Sequence, residues 1–429
     1  MTDLEVVARA RVDGGCPVER LVCHPRLPLV AGLDEERPAV HVWSCEGGRL
    51  REVGSVVAES ERYGDTRGWE RIKRTPALAW HQDEPRLVVA GRECGVVEWT
   101  PAGLSPVNGV PPAAAYRRVA FSPDGGTLWA SPSSSGADDA WESSDVIDMA
   151  SGTVGSGPRW DTGVEHHPGG SLVSTLASDQ GATYVLFARV HSEAGSGAMR
   201  RLRRALILDV DGYGAPLFSA DGRHFAIRGN AYGNTLEVFA FPSLQRVLAT
   251  TLGEPRPDHP CPQEWLDQKR AWSRQNIAFA ARPGVLWVGT PTGALVEVDV
   301  ETLSAVEHDD VAGSPVSALA ATAAGELVLA RADGELVLLS VRSGPGNTLA
   351  AHDTAASAVA EFLEATCDVP DGGDLDEHLV LTDGDRTWNA DDLAAVDTAS
   401  AQDPTWLRLR AAINQADSEQ ARGSYDGAG

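Results

Sequence analysis

Residues 119–131 read VAFSPDGGTLWAS, and their punctuation decides the fold. An apolar run, Val119-Ala120-Phe121, is cut by Ser122-Pro123-Asp124-Gly125-Gly126, and a second apolar run ends at Ser131. Asp-Gly-Gly admits the positive backbone angles of a tight turn, so the stretch predicts two antiparallel strands joined as a hairpin. Downstream, SSDVIDMASGTV predicts a third strand ending at Ile147-Asp148, a turn at Ser151-Gly152 and the start of a fourth. The opening phrase recurs as LVCHP from Leu21, LAWHQ from Leu78, VEHHP from Val164, PLFSA from Pro216, IAFAA from Ile277 and LAATA from Leu319. Aligned on its fourth residue (His24, His81, Ser122, His167, Ser219, Ala280, Thr322), the phrase repeats at intervals of 57, 41, 45, 52, 61 and 42 residues.

A base period near 42 with insertions is the spacing of propeller blades. One four-stranded sheet cannot bury both of its faces, and stacking copies in a ring supplies the missing core. The third cycle resembles the WD-repeat family, in which a large residue followed by Asp ends the third strand. That pair recurs with drift as Trp43-Ser44, Trp99-Thr100, Ile147-Asp148, Phe239-Ala240, Val298-Asp299 and Leu339-Ser340. No cycle carries the family's full Gly-His plus buried Asp network. The resemblance covers about residues 4–344 and implies an all-β, seven-bladed β-propeller. Cycle seven has three clear strands, and LEVVARARV at 4–12 alternates as an edge strand should, so the N-terminal strand is expected to complete that blade.

Composition bounds the function. With 429 residues, 42% of them hydrophobic, the chain can bury a sizeable core. A net charge of −25 argues against nucleic acid and against an anionic membrane surface, because both are bound through Lys and Arg. Lys73 and Lys269 are the only lysines, and the abundance of Ala and Gly suggests a high-GC bacterial source. The six cysteines form no CxxC pair, the N-terminus lacks a signal-peptide pattern, and no window approaches the roughly 18 apolar residues of a membrane span. A cytoplasmic location is expected.

The two longest insertions, 58–75 and 252–272, both precede an inner strand, which in a propeller places them on one face. They carry Arg67, Trp69, Arg71, Lys73 and Arg74, and Trp265, Lys269, Arg270 and Trp272. The serine-rich loop from Ser131 to Asp145 adds Trp141 to the same rim. Tryptophan and arginine are the residue types most enriched at binding hot spots, and these ten are the candidate partner-binding residues. On the opposite face, RRLRR at 200–204 reads first as a strand edge guarded by charge, and second as a dock for an acidic partner or the chain's own tail.

Beyond Gly344 the pattern turns helical, with Val359, Phe362, Leu363 and Thr366 on one face, Asn389 as a cap and Asp403-Pro404 as a helix start. Between Glu361 and Asp403 there are 13 acidic residues against one base, Arg386. The expected division is a propeller over 1–344, an acidic α-helical appendage over 345–415 and a disordered tail over 416–429.

Chemistry leaves few marks. His24, His81 and His167 occupy equivalent positions on different blades, about 10 Å or more apart, too far for bonds of about 2 Å to one metal. Structural hydrogen bonding is the better reading. Asp383, Asp385, Thr387, Asn389 and Asp391 imitate a calcium loop, but Trp388 stands where Gly is required and Ala394 where the bidentate Glu belongs. GxSxG, the phosphate-binding GxxxxGK[ST], the dinucleotide glycine run and HExxH are missing. The expectation is a non-catalytic scaffold of the WD-repeat type without cofactor or metal, binding a protein or peptide and serving in a multi-protein complex. The rival is a propeller hydrolase or lyase with its site in the central funnel.

Overall fold

The computed structural model describes residues 3–12, 15–111, 114–134, 143–158, 160, 163–179, 181–190, 199–280, 282–342, 348–370 and 373–426. The strands gather into four-stranded antiparallel sheets that follow one another along the chain. The first sheet is Val18–Cys23, Leu29–Asp34, Val40–Ser44 and Arg51–Val56, and the second is Ala77–Trp80, Leu87–Gly91, Gly95–Thr100 and Gly103–Pro106. The third runs from Arg118–Phe121 to Val154–Pro158, the fifth from Leu217–Phe218 to Arg246–Thr251, and the sixth from Ile277–Phe279 to Ser304–His308. The fourth is built on Val164–His166, Leu172–Asp179, Ala182–Val190 and Arg204–Asp209, with Met199–Arg201 also paired to Ala182–Val190. A seventh sheet holds Val316–Ala321, Leu327–Arg331 and Glu335–Arg342, and its outer strand is Asp3–Arg11. Leu4 faces Val341 and Ala10 faces Leu336 across that antiparallel pair, and Arg9 meets Glu335 at 2.8 Å.

The second strand of each sheet shows why sheets must stack. Leu87, Val88, Val89 and Ala90 are each 0% exposed, so this strand is covered on both faces and reads as an unbroken apolar run. Leu87 and Val89 pack with Ala31 and Val40 of the first sheet, whereas Val88 and Ala90 pack with Val119 and Leu128 of the third. The same arrangement continues through Trp129 with Val173, Phe187 with Phe225, Val238 with Leu286, and Trp287 with Leu329. Val328 and Leu336 of the seventh sheet share a cluster with Val18 and Trp43 of the first. Every sheet therefore shares an apolar layer with its neighbours in sequence, and the last shares one with the first. The outer strands vary: Gly103–Pro106 is exposed throughout, whereas Arg204–Asp209 is buried through its middle.

The recurring phrase works as a clip between sheets. Ser122 Oγ donates to Asp124 Oδ1 at 2.5 Å, and Ser219 Oγ to Asp221 Oδ1 at 2.6 Å, fixing turns whose Gly125 and Gly222 have φ of 71° and 65°. The histidine at the equivalent position of one sheet reaches the turn of the next. His24 Nε2 lies 2.8 Å from the Glu84 carbonyl and His167 Nε2 3.0 Å from the Gly222 carbonyl, while His81 packs on Gly125. Bracing beside buried tryptophans also comes from carboxylates: His41 pairs with Glu52 at 2.8 Å next to Trp43 of a third strand, and His308 with Glu297 at 3.1 Å next to Trp287 of a second strand.

The C-terminal segment covers the fourth and fifth sheets. Helix α3 (Thr348–Glu364) buries Ala358, Val359 and Phe362 among Phe187, Phe225 and Phe241. Val380–Thr382 then adds a parallel strand to Arg204–Leu206, so the segment is not purely helical. This corrects the favoured reading of RRLRR as a solvated, charge-guarded edge. The Arg203 amide donates to the Cys367 carbonyl at 2.9 Å, and Arg189 holds both oxygens of Asp368 at 2.7 Å. An open edge with unpaired backbone groups next to an acidic segment is satisfied more fully by that segment than by water. Asn389 caps the short helix Ala390–Ala394 in a capping box with Asp392. Asp383 Oδ1 accepts from the amides of Asp385 and Arg386, making the calcium-like stretch a hairpin turn. The final helix, Thr405–Asp426, continues well past Gln415, where the sequence suggested that order ends. Asn414 Nδ2 anchors it to the carbonyls of Leu393 and Val396, and the following Gln, Ala and Glu residues favour helix.

Candidate interaction site

Each of the two long insertions folds into a helix just ahead of an innermost strand. Helix α1 (Gly68–Arg74) precedes Ala77–Trp80 of the second sheet, and α2 (Gln263–Ala271) precedes Ile277–Phe279 of the sixth. The sequence places Trp and Arg in both, but the structure gives those residues different duties.

In α1, Arg71 and Arg74 are bound inward. Arg71 reaches Glu19 at 2.6 Å and the Glu35 carbonyl at 2.9 Å, with its guanidinium 3.3 Å from the Tyr63 ring centre. Arg74 lies 5.4 Å from the same ring and 3.8 Å from Glu93. These two side chains hold the insertion to the sheet through Tyr63. Lys73 pairs with Glu70 at 2.5 Å, and Arg67 is exposed at the helix entrance. What remains outward is Trp69, 53% exposed, with Ile72 beside it. The Arg117 guanidinium stacks 4.2 Å from the Trp69 ring, which fixes the indole without covering it.

In α2, the named residues build a pocket of about 310 Å3. Its walls include Trp265, Trp272, Lys269, Asn234 and Glu254. Trp265 Nε1 donates to the Glu254 carbonyl at 3.2 Å, and Trp272 lies against Gly253, where a Cβ would fall 2.7 Å from the indole nitrogen. Lys269 Nζ donates to the Ala231 carbonyl at 3.0 Å and sits 5.7 Å from the Trp265 ring centre. Burial, with Arg274 and Arg256 nearby, pulls the Lys269 ammonium below its ordinary pKa. Arg270 points away and pairs with Asp267 at 2.9 Å. The pocket thus joins two aromatic walls to the Lys269 ammonium, with Arg256 and Arg274 close enough to act on its charge.

Trp265, Lys269 and Trp272 are brought together, whereas Trp69 stands on α1, ahead of a different sheet. Trp141 lies outside the described residues. Reading by insertions missed Tyr63 and Arg117 at α1, and Arg256 and Arg274 at α2. Arg117 directly precedes the third inner strand, so its place ahead of a repeat was a usable signal.

A second group sits on the innermost strands. Arg20, Arg118 and Glu165 belong to the first, third and fourth sheets and are half-buried. Burial, then Arg20 and Arg117, lowers the Arg118 pKa to about 10, and burial raises Glu165 to about 7 against a smaller opposite pull from Arg20. Gln82 Nε2 of the second sheet's turn donates to His166 Nδ1 at 2.8 Å, and burial holds His166 down to about 4. His24 and His167 are occupied by backbone carbonyls. Among the described residues no helix is long and apolar enough to cross a membrane.

No family model and no curated protein matches the chain. Among solved structures, it is similar to the β-propeller domain of Cps50 (Swd1) from Myceliophteria thermophila, with 10% identity and a TM-score of 0.51 over 79% of this chain and 100% of that one. At that identity the likeness speaks to architecture alone. Sequential four-stranded antiparallel sheets, stacked through shared apolar layers and superposable on that domain, give this chain the fold of a β-propeller.

Proposed function

We propose that the chain is a seven-bladed propeller over residues 1–344, closed by its N-terminal strand, with an acidic appendage over 345–415 and a tail from 416, and that it is a non-catalytic platform for a protein or peptide partner. Ring closure is supported by the apolar layer between the seventh and first sheets and by the pairing of Asp3–Arg11 with Glu335–Arg342. In such a ring all innermost strands run the same way, so α1 and α2 share a face. The pocket between Trp265 and Trp272 carries the reading. Both lysines of a chain with net charge −25 lie on these helices, and Arg256 and Arg274 flank the pocket, so the matching partner segment is acidic with an aromatic or aliphatic side chain. The charge balance disfavours nucleic acid, and six unpaired thiols fit a reducing, cytoplasmic setting. A multi-protein bacterial system is the natural context.

Selection of a random peptide library on the immobilised full-length protein tests this. Acidic peptides with a bulky apolar residue should be enriched, and Trp265→Ala or Lys269→Ala should weaken them at least tenfold. Enriched peptides indifferent to Trp69→Ala, Trp265→Ala and Lys269→Ala would remove the proposed face. The second reading, a funnel enzyme, draws on Glu165, whose raised pKa falls in the range of general acids and bases. Under that reading Glu165→Gln would abolish a turnover while leaving peptide binding intact.

A further inference from the structure

The innermost strands carry two arginines that, among the described residues, make no ion pair. Along each innermost strand, the residues two and four places before the aligned fourth position lie on one side of the strand. On most sheets they are small, as with Ala77 and Ala79, Ala318 and Ala320, Ala120 and Ala278. Arg20, Arg118 and Glu165 occupy this same register on the first, third and fourth sheets. Among the described residues, no carboxylate lies within ion-pair distance of Arg20 or Arg118. The bond found for the Arg118 side chain runs from Nη1 to the Arg117 carbonyl at 2.8 Å. Arg20 acts electrostatically on both Arg118 and Glu165, which stand on sheets not adjacent to its own, so in the closed ring proposed above the shared register of the three borders one central space.

Two half-buried guanidinium groups within electrostatic reach of each other repel and are poorly hydrated, and an anion seated between them relieves both costs. Arginine's planar fork matches the oxygen pairs of carboxylates and phosphates. We propose that the central space is a binding site for one small oxyanion of the carboxylate or phosphate class, gripped by Arg20 and Arg118 and bordered by Glu165. Below about pH 7 burial keeps the Glu165 carboxyl protonated and able to donate a hydrogen bond to the same ligand, whereas at pH 8 it is ionised and opposes the anion. His166, held neutral and tied to Gln82, adds a wall without charge. This site is independent of the α2 pocket, and either can fail alone.

The test is isothermal titration calorimetry on the full-length protein at pH 8, with inorganic phosphate and separately with succinate, against chloride at matched ionic strength. One site per chain is expected for at least one of the two anions, and which of them binds identifies the class. Arg20→Met and Arg118→Met should each weaken it at least tenfold, and Glu165→Gln should tighten it at least twofold. Thermal melting in chloride checks that each variant is folded. Should Arg118→Met fail to fold, Arg118→Lys keeps the charge without the fork and should weaken binding at least threefold. No binding above the chloride control, or binding unchanged in the folded arginine variants, overturns the proposal.

Discussion

Replacing Glu165 by Gln should make the protein more stable, and increasingly so as pH rises. In the unfolded chain this carboxyl titrates near its ordinary 4.5, and in the folded chain burial raises it to about 7. The native state therefore binds more protons than the unfolded one between those values, and stability falls as pH climbs through that window. Below about 4.5 both states are protonated and the penalty vanishes; above about 7 both are ionised and it is complete. A rise from 4.5 to about 7, at about 1.4 kcal/mol for each tenfold change in proton affinity, gives a ceiling of about 3.5 kcal/mol. Solvent screening of this half-buried group reduces the figure to roughly 1–3 kcal/mol. The chain's pI near 4.8 makes work below about pH 5.5 impractical through loss of solubility, so urea denaturation of both proteins at pH 5.5, 7 and 8.5 is the assay. Over that range the advantage of the Gln variant should widen by roughly 1–2 kcal/mol. A constant difference, or a Gln variant less stable at every pH, would mean that an ion pair satisfies Glu165 and would refute the burial argument.

The clip between the second and third sheets predicts coupling. A Cβ on Gly125, at φ 71°, would lie 1.9 Å from His81 Nε2, so Gly125→Ala should cost more than about 1 kcal/mol, and His81→Ala should recover part of it in a double-mutant cycle. Additive losses would show that the two do not touch. Phe362→Ala should cost about 3–5 kcal/mol in urea denaturation, because the fully buried ring lies 4.9 Å from both Phe187 and Phe241. A loss below about 1 kcal/mol would mean that α3 is not docked.

The strands were legible because blade folding is local. VAFSPDGGTLWAS encodes its own hairpin, and Trp43, Ile147 and Phe239 are the large residues that the gap between two sheets requires. Asn389 was legible as a cap for the same reason, since its bonds close within one helical turn. The strand at Val380–Thr382 was not, because a parallel addition to Arg204–Leu206 depends on a partner far away in sequence. Nor did Arg71 betray that its charge is spent on Glu19 and Tyr63, since a basic residue in an insertion looks alike whether it faces a partner or its own sheet. The central charges were readable in principle. Arg20, Arg118 and Glu165 stand where the other copies of the phrase mostly place alanine, and aligning the inner strands residue by residue exposes them.

Everything assigned to a face depends on the ring closing, and an experimental density map of the full-length protein at side-chain resolution tests that most directly. The account predicts seven sheets around one axis, the fourth extended by Val380–Thr382, with Leu4 opposite Val341 and both α1 and α2 on one rim. A map in which Asp3–Arg11 pairs elsewhere, or in which α1 and α2 lie on opposite rims, would contradict it.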